Sequence, residues 1–363
     1  MKQMTLLNPG PVNVTSRVAA SLMRGDMCHR EKEFEDLMAN IRRKLLLAFD
    51  VEKSFHPVLI SGSGTAALEM AVSSCLSKGR SMLIIENGVY GERIAKMVHC
   101  RGFKKHSLHW KWGQPPNLEQ VESAIKSHPE IEVIAMVHHE TTTGLLNPIN
   151  EVGLLARQYG KRFLVDCISS LAGDEIDLNG WGLDFCVGTA NKCLQGLPGV
   201  SFVLFRSEET ERLSQTPSPS LYLNLYENYK SQEDRVPLFT PAVQLHYALE
   251  ESLSELIEET VSTRIQRYKN SAQLLRDGFE NLGLEFFIPR NLFSNCLTSL
   301  KLPPGISYDD LHTGLRKKGF VIYAGQGNLR DDIFRIANIG NIQLEEFERF
   351  LGALEECLFA KSK

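Results

Sequence analysis

The chain has no run approaching the roughly 18 consecutive apolar residues that suggest a membrane helix. Its first ten residues, Met1 to Gly10, lack the apolar stretch behind a basic flank that marks a secretory leader. No block of lysine and arginine stands out, and the formal charge is −4, so nucleic acid is not expected as a partner. The cysteines (Cys28, Cys75, Cys100, Cys167, Cys186, Cys193, Cys296 and Cys357) form no C-x-x-C pair. A disulfide framework is therefore not expected, and they read as reduced, mostly buried thiols of a cytoplasmic protein. Internal repeats and low-complexity tracts are also missing. What is present is 363 residues, 43% hydrophobic and 23% charged. That is enough for one large domain with a substantial core and a smaller domain beside it.

Short apolar runs alternate with helical patterns. Val58 to Ile60, Met82 to Ile85, Val133 to Val137, Phe163 to Val165, Phe185 to Val187 and Val200 to Phe205 read as strands. Continuous apolar strands separated by helices, such as those at 66–76 and 151–159, predict a largely parallel sheet covered on both faces. After about Ser207 the pattern changes. Residues 217–237 are irregular and aromatic, 243–278 read as one or two long helices, and shorter strands and helices follow. The expected fold is α/β, with a large domain at 1–260 and a smaller α+β domain at 261–363.

Gly62-Ser63-Gly64-Thr65-Ala66-Ala67 follows a strand and opens a helix. Glycines allow close approach to a phosphate, and a helix N-terminus offers free N–H groups and a favourable dipole. An ordinary turn, a dinucleotide fingerprint with Glu86 as its ribose acid, and another phosphate site fit this motif equally well. Two later residues break the tie. Asp166 ends an apolar strand, where α/β sheets place functional groups. Lys192 sits among small, apolar and glycine residues, a setting that lowers an amine's pKa and makes it a nucleophile. Pyridoxal-phosphate (PLP) chemistry needs such a lysine, an acid for the pyridine nitrogen and a phosphate cradle. A nicotinamide oxidoreductase requires neither Asp166 nor Lys192. His138-His139-Glu140 lacks the H-E-x-x-H spacing, and adjacent strand residues face opposite ways, so no metal is expected there.

Several runs resemble the class V aminotransferases of the fold type I PLP superfamily. They include Asn8-Pro9-Gly10-Pro11, Asn87-Gly88-Val89-Tyr90-Gly91, Glu140-Thr141-Thr142-Thr143-Gly144, Ala190-Asn191-Lys192-Cys193, Phe239-Thr240-Pro241 and Phe334-Arg335-Ile336. The resemblance covers almost the whole chain. It implies a mostly parallel seven-stranded sheet in the large domain, with the N-terminal segment near the active site. It also implies Lys192 as the Schiff-base lysine and Asp166 as partner of the pyridinium nitrogen. Ser63, Gly64 and Thr65 would bind the cofactor phosphate, with Asn191 beside the lysine. Tyr90 would stack on the ring, and Thr142 or Thr143 would bond the phenolate oxygen. Thr240 would reach the neighbouring subunit's phosphate, which implies a homodimer. Arg335 would bind the anionic group of a small-molecule substrate, with 2-aminoethylphosphonate as amino donor and pyruvate as acceptor. An alanine– or serine–glyoxylate exchange is the alternative within the family. A cysteine desulfurase is disfavoured because Asn191 precedes the lysine where that class carries His.

Overall fold

The computed structural model describes residues 4–359. Its central sheet comprises β1 (Phe55–Ser61), β2 (Ser81–Glu86), β3 (Lys104–His109), β4 (Ile131–Val137), β5 (Arg162–Asp166), β6 (Phe185–Thr189) and β7 (Val200–Arg206), in the order β1-β7-β6-β5-β4-β2-β3. All neighbours are parallel except β7, which runs antiparallel to both β1 and β6. The apolar runs form strands because alternate residues feed two different cores. Ile134 and Met136 of β4 enter one, while Val133, Ala135 and Val137 enter the other. The seventh strand, β3, was not legible as an apolar run. It lies at the sheet edge and begins with exposed Lys104 and Lys105, charges that blunt a free edge.

The covering helices are α1 (Lys32–Ala48), α2 (Gly64–Ser74), α3 (Val89–Cys100) and α4 (Ile149–Gln158). The irregular stretch at 217–237 contains one further helix, α5 (Leu225–Glu233), capped by the Asn224 side chain on Glu227 N–H. The long helical pattern is two helices, α6 (Val243–Glu259) and α7 (Val261–Asn281), broken at Thr260, whose φ is +71°. Early in α7, Tyr268 packs in the large core, whereas Leu275 and Phe279 pack in a third core with Phe334 and Phe350. The passage between cores thus falls within α7.

The C-terminal sheet is antiparallel, β8 (Leu297–Lys301), β9 (Tyr323–Ala324) and β10 (Ile333–Ala337), in the order β8-β10-β9. Helices α8 (Tyr308–Lys317) and α9 (Leu344–Phe359) complete this unit. Two short pairings follow α8: Phe320–Val321 pairs with Thr5–Leu6, and Tyr323–Ala324 pairs with β10. The N-terminal segment is thereby stitched to the C-terminal unit before it turns toward the large domain.

Candidate active site

Strands β1, β2, β4, β5 and β6 run in one direction, so their C-terminal ends collect at one edge of the sheet, the usual place for a ligand in an open α/β fold. A cavity of about 200 Å³ opens there. Asp166, Thr189, Asn191 and Lys192 line one side, and Ser63, Gly64 and Thr65 another. Tyr90, Arg93, His139 and Thr141 also reach its wall.

Lys192 Nζ donates to the Pro9 carbonyl. Burial pushes its amine down to about 8, against the raising influence of Cys193 and Asp166. Gly10 is required beside it. Its φ is +115°, and a Cβ there would stand 2.5 Å from Nζ. Asp166 is 4% exposed and its Oδ1 accepts from Ile168 N–H at 2.9 Å; its other oxygen makes no hydrogen bond among the described residues. Burial pushes this carboxyl up to about 6, partly offset by the Ile168 N–H, Arg93 and Lys192. A carboxylate with one fixed and one free oxygen suits a protonated ring nitrogen.

The cradle fits a phosphate. Ser63 is the N-cap residue of α2, yet its hydroxyl makes no capping bond, and the Thr65 hydroxyl has no partner among the described residues. A Cβ at Gly64 would meet Ile168 Cδ1 at 2.7 Å, so glycine lets the backbone lie against the cavity floor. Asn191 accepts from Thr189 Oγ1 at 2.9 Å, which fixes it beside the lysine.

Tyr90 is held from below. Its N–H and that of Gly91 donate to the Glu140 carboxylate, at 3.2 and 3.1 Å to Oε2. Helix α3 begins at Gly88, which has no side chain to cap those N–H groups, and Glu140 supplies the missing acceptor from a distant segment. Burial pushes Glu140 up to about 7, opposed by hydrogen bonds from Thr142, Gly91 and Tyr90. The role of Glu140 was not read from the sequence. The signal available was a helix start with no capping side chain. Arg93 was also missed; its guanidinium lies 4.6 Å from the Tyr90 ring centroid.

Two of the expected contacts fall elsewhere, those of Thr142 or Thr143 and of Arg335, and Thr240 lies at the surface. Neither Thr142 nor Thr143 lines the cavity. The Thr142 hydroxyl is spent on Glu140 (2.5 Å) and on Val89 N–H (3.0 Å), and Thr143 is fully buried with its carbonyl held by Ser299 Oγ. Thr141 is the threonine of this run that faces in. Arg335 is 2% exposed on β10, one layer behind that wall. It donates to the carbonyls of Ala324 and Thr141, both at 2.8 Å, and to Gln326 Oε1 at 3.2 Å. No carboxylate pairs with it among the described residues, and burial lowers its pKa. Thr240 is exposed, in a separate groove with Ser61 and Tyr222. Glu86 is buried outside the cavity, its carboxylate 3.7 Å from His109 Nδ1.

Residues 13–329 match the family model for class V aminotransferases. A relative from Syntrophobacter fumaroxidans, named 2-aminoethylphosphonate–pyruvate transaminase, is 35% identical over 97% of this chain and 96% of its own length. Among solved structures, an alanine–glyoxylate aminotransferase from Nostoc sp. superposes with a TM-score of 0.92 at 28% identity, covering 99% of this chain and 96% of that one. A ureidoglycine–glyoxylate aminotransferase from Bacillus subtilis gives 0.94 at 25% identity, covering 100% and 95%.

Proposed function

Because the chain belongs to the class V aminotransferase family and works with pyridoxal 5′-phosphate, we propose that it moves an amino group from 2-aminoethylphosphonate to pyruvate, giving phosphonoacetaldehyde and L-alanine. The observation that carries the substrate reading is Arg335, a buried guanidinium with no carboxylate partner among the described residues, anchored by neutral oxygens behind the cavity wall. Guanidinium forks match phosphonate and carboxylate oxygens alike. Donor and acceptor occupy the site in turn, so one arginine would serve both once its guanidinium turns from the Thr141 and Ala324 carbonyls toward the cavity. The names of the relatives at about 35% identity support the phosphonate.

When bound, the cofactor supplies an aldehyde carbon that takes up the amine and a pyridine ring that accepts the electron pair released at the amine-bearing carbon. Ser63, Gly64 and Thr65 hold its phosphate with hydroxyls and the α2 N-terminus. Asp166 keeps a proton on the ring nitrogen through its free oxygen. Tyr90, fixed by Glu140, packs on the ring face, and Thr141 takes the phenolate role expected of Thr142 or Thr143. Lys192 anchors the cofactor, and its Nζ then removes the proton from the amine-bearing carbon. An amine lowered to about 8 has a usable neutral fraction at physiological pH, as a general base needs.

A homodimer is part of this reading. Thr240 is exposed beside the stacked rings of Tyr222 and Phe239, and Leu221 is 82% exposed, an apolar surface suited to a second copy. Reduced thiols and the absence, among the described residues, of a helix long and apolar enough to cross a membrane support a cytoplasmic setting.

The test is turnover of 2-aminoethylphosphonate with pyruvate, followed by alanine formation, beside alanine or serine with glyoxylate. Faster exchange with glyoxylate replaces the phosphonate reading with the alternative. The Lys192→Ala protein is expected to lack the visible absorption of the loaded enzyme and to lose at least about 100-fold in kcat.

A further inference from the structure

Cys193, the residue after Lys192, is fully buried, and its sulfur lies 3.6 Å from that of Cys296. Cys296 Sγ is in turn 3.7 Å from Asp174 Oδ2. A ring nitrogen of His139 shares the same space: the donor atoms of His139, Asp174 and Cys296 all lie within 4.8 Å of one another. Every one of these residues is at most 2% exposed.

His139 supplies an independent indication. Its Nδ1 lies 3.3 Å from the Ser169 carbonyl, which fixes the ring, while Nε2 is buried without a hydrogen-bond partner among the described residues. An orphaned buried nitrogen costs about 1–3 kcal/mol. Nδ1–H on a backbone carbonyl with the other nitrogen free is the usual state of a metal-binding imidazole. The carboxylate is oriented in the same way, by Ser294 Oγ at 2.6 Å and Asn295 N–H at 2.8 Å.

Two of the edges suit a tetrahedral ion, while Cys193 Sγ, which donates to the Ser169 carbonyl at 3.4 Å and stands outside the group of His139, Asp174 and Cys296 donor atoms, would rotate toward them to complete it. Zinc bonds of about 2.3 Å to sulfur and about 2.1 Å to oxygen imply a sulfur–sulfur edge of about 3.8 Å and a sulfur–oxygen edge of about 3.6 Å. Charge also balances. Two thiolates and a carboxylate carry three negative charges, a zinc ion two positive ones, and buried Arg276 the third. Arg276 is bonded to Thr298 Oγ1 and the Ser294 carbonyl and pairs with no carboxylate among the described residues. Thiolate ligands select zinc over magnesium or calcium. Gly173 packs its backbone over both sulfurs; a Cβ there would stand 2.4 Å from Cys296 Sγ and 2.6 Å from Cys193 Sγ.

We propose that His139, Asp174, Cys193 and Cys296 form a structural zinc site that ties the loop bearing Lys192 to the start of β8. Binding displaces the two thiol protons to solvent, with no redox change. The ligands come from four separate segments, so no motif spacing announces them.

Metal per chain is measured by mass spectrometry on protein purified without chelator, then after incubation with zinc chloride and gel filtration. A His128→Ala background removes the half-buried cluster of His106, His128 and Glu130, the other group among the described residues that could hold an ion. One zinc per chain, lost in Cys296→Ser, is expected. If that variant does not fold, cobalt(II) in the cofactor-free protein decides. Thiolate-to-cobalt charge transfer with tetrahedral d–d bands supports the site. Protein that stays metal-free after incubation, zinc retained in folded Cys296→Ser, a cobalt spectrum without thiolate, or a Cys193–Cys296 disulfide in the purified protein overturns it.

Discussion

At the scale of single residues, Asp166 shows what the site costs the fold. Burial holds its carboxyl at about 6 in the folded chain, against 3.8 when free. The folded state therefore binds this proton more tightly, and the associated stability, present at low pH, is lost as pH rises from about 4 through about 6. At neutral pH the cost reaches up to about 3 kcal/mol. Asp166→Asn is expected to raise the Tm of the cofactor-free protein at pH 7, with a margin over wild type that shrinks as pH falls from about 6 to about 4, while weakening cofactor binding. Equal melting curves across that range would show that the carboxyl is not desolvated. For Arg335→Lys, the planar fork is lost although the charge remains. The expectation is a rise in KM of about 10- to 100-fold with the cofactor's visible absorption intact. Unchanged KM would remove Arg335 from substrate binding.

Among the elements, α3 is the most exposed to a single change. Gly88 is in extended backbone, so its φ is open to any residue, but a Cβ there would come 2.3 Å from the Glu140 side chain. Gly88→Ala is expected to push that carboxylate off the N–H groups of Tyr90 and Gly91, destabilising the protein by about 2–4 kcal/mol, read as a lower midpoint in urea. The buried strands were legible because both faces are covered and most of their residues are apolar. The edge strand β3 was not, because its exposure favours lysine and histidine, and helix α5 was hidden among prolines and aromatics. Lys192 and Asp166 were legible because each is an unexpected charge at the end of an apolar strand. Glu140, Arg93 and the inward-facing Thr141 were not. Their meaning depends on which side chain turns inward in a short ribbon and on contacts between segments about 50 residues apart.

At the level of the whole molecule, the apolar surface around Leu221, Tyr222 and Phe239 is where the proposed second copy would sit, and it would bring Thr240 to a cofactor phosphate. Leu221→Arg is expected to shift the protein from dimer to monomer in light scattering and to weaken cofactor affinity. A monomeric wild type with full activity would sink the shared-site reading. A protein that stays dimeric in the variant would move the interface elsewhere.

His138 and His139 illustrate a different use of the same architecture. Both are buried, and each keeps one ring nitrogen without a partner. His139 borders the cavity of Lys192, while His138 borders a separate cleft of about 750 Å³ beside Asn147, Glu151 and Lys269. Two imidazoles adjacent in sequence thus sample two compartments. With selectively labelled histidine, a ligand entering the lysine cavity, or zinc on its inner wall, should move one resonance. A ligand entering the wider cleft should move the other, so that one dipeptide works as a two-channel magnetic reporter of where a molecule has gone.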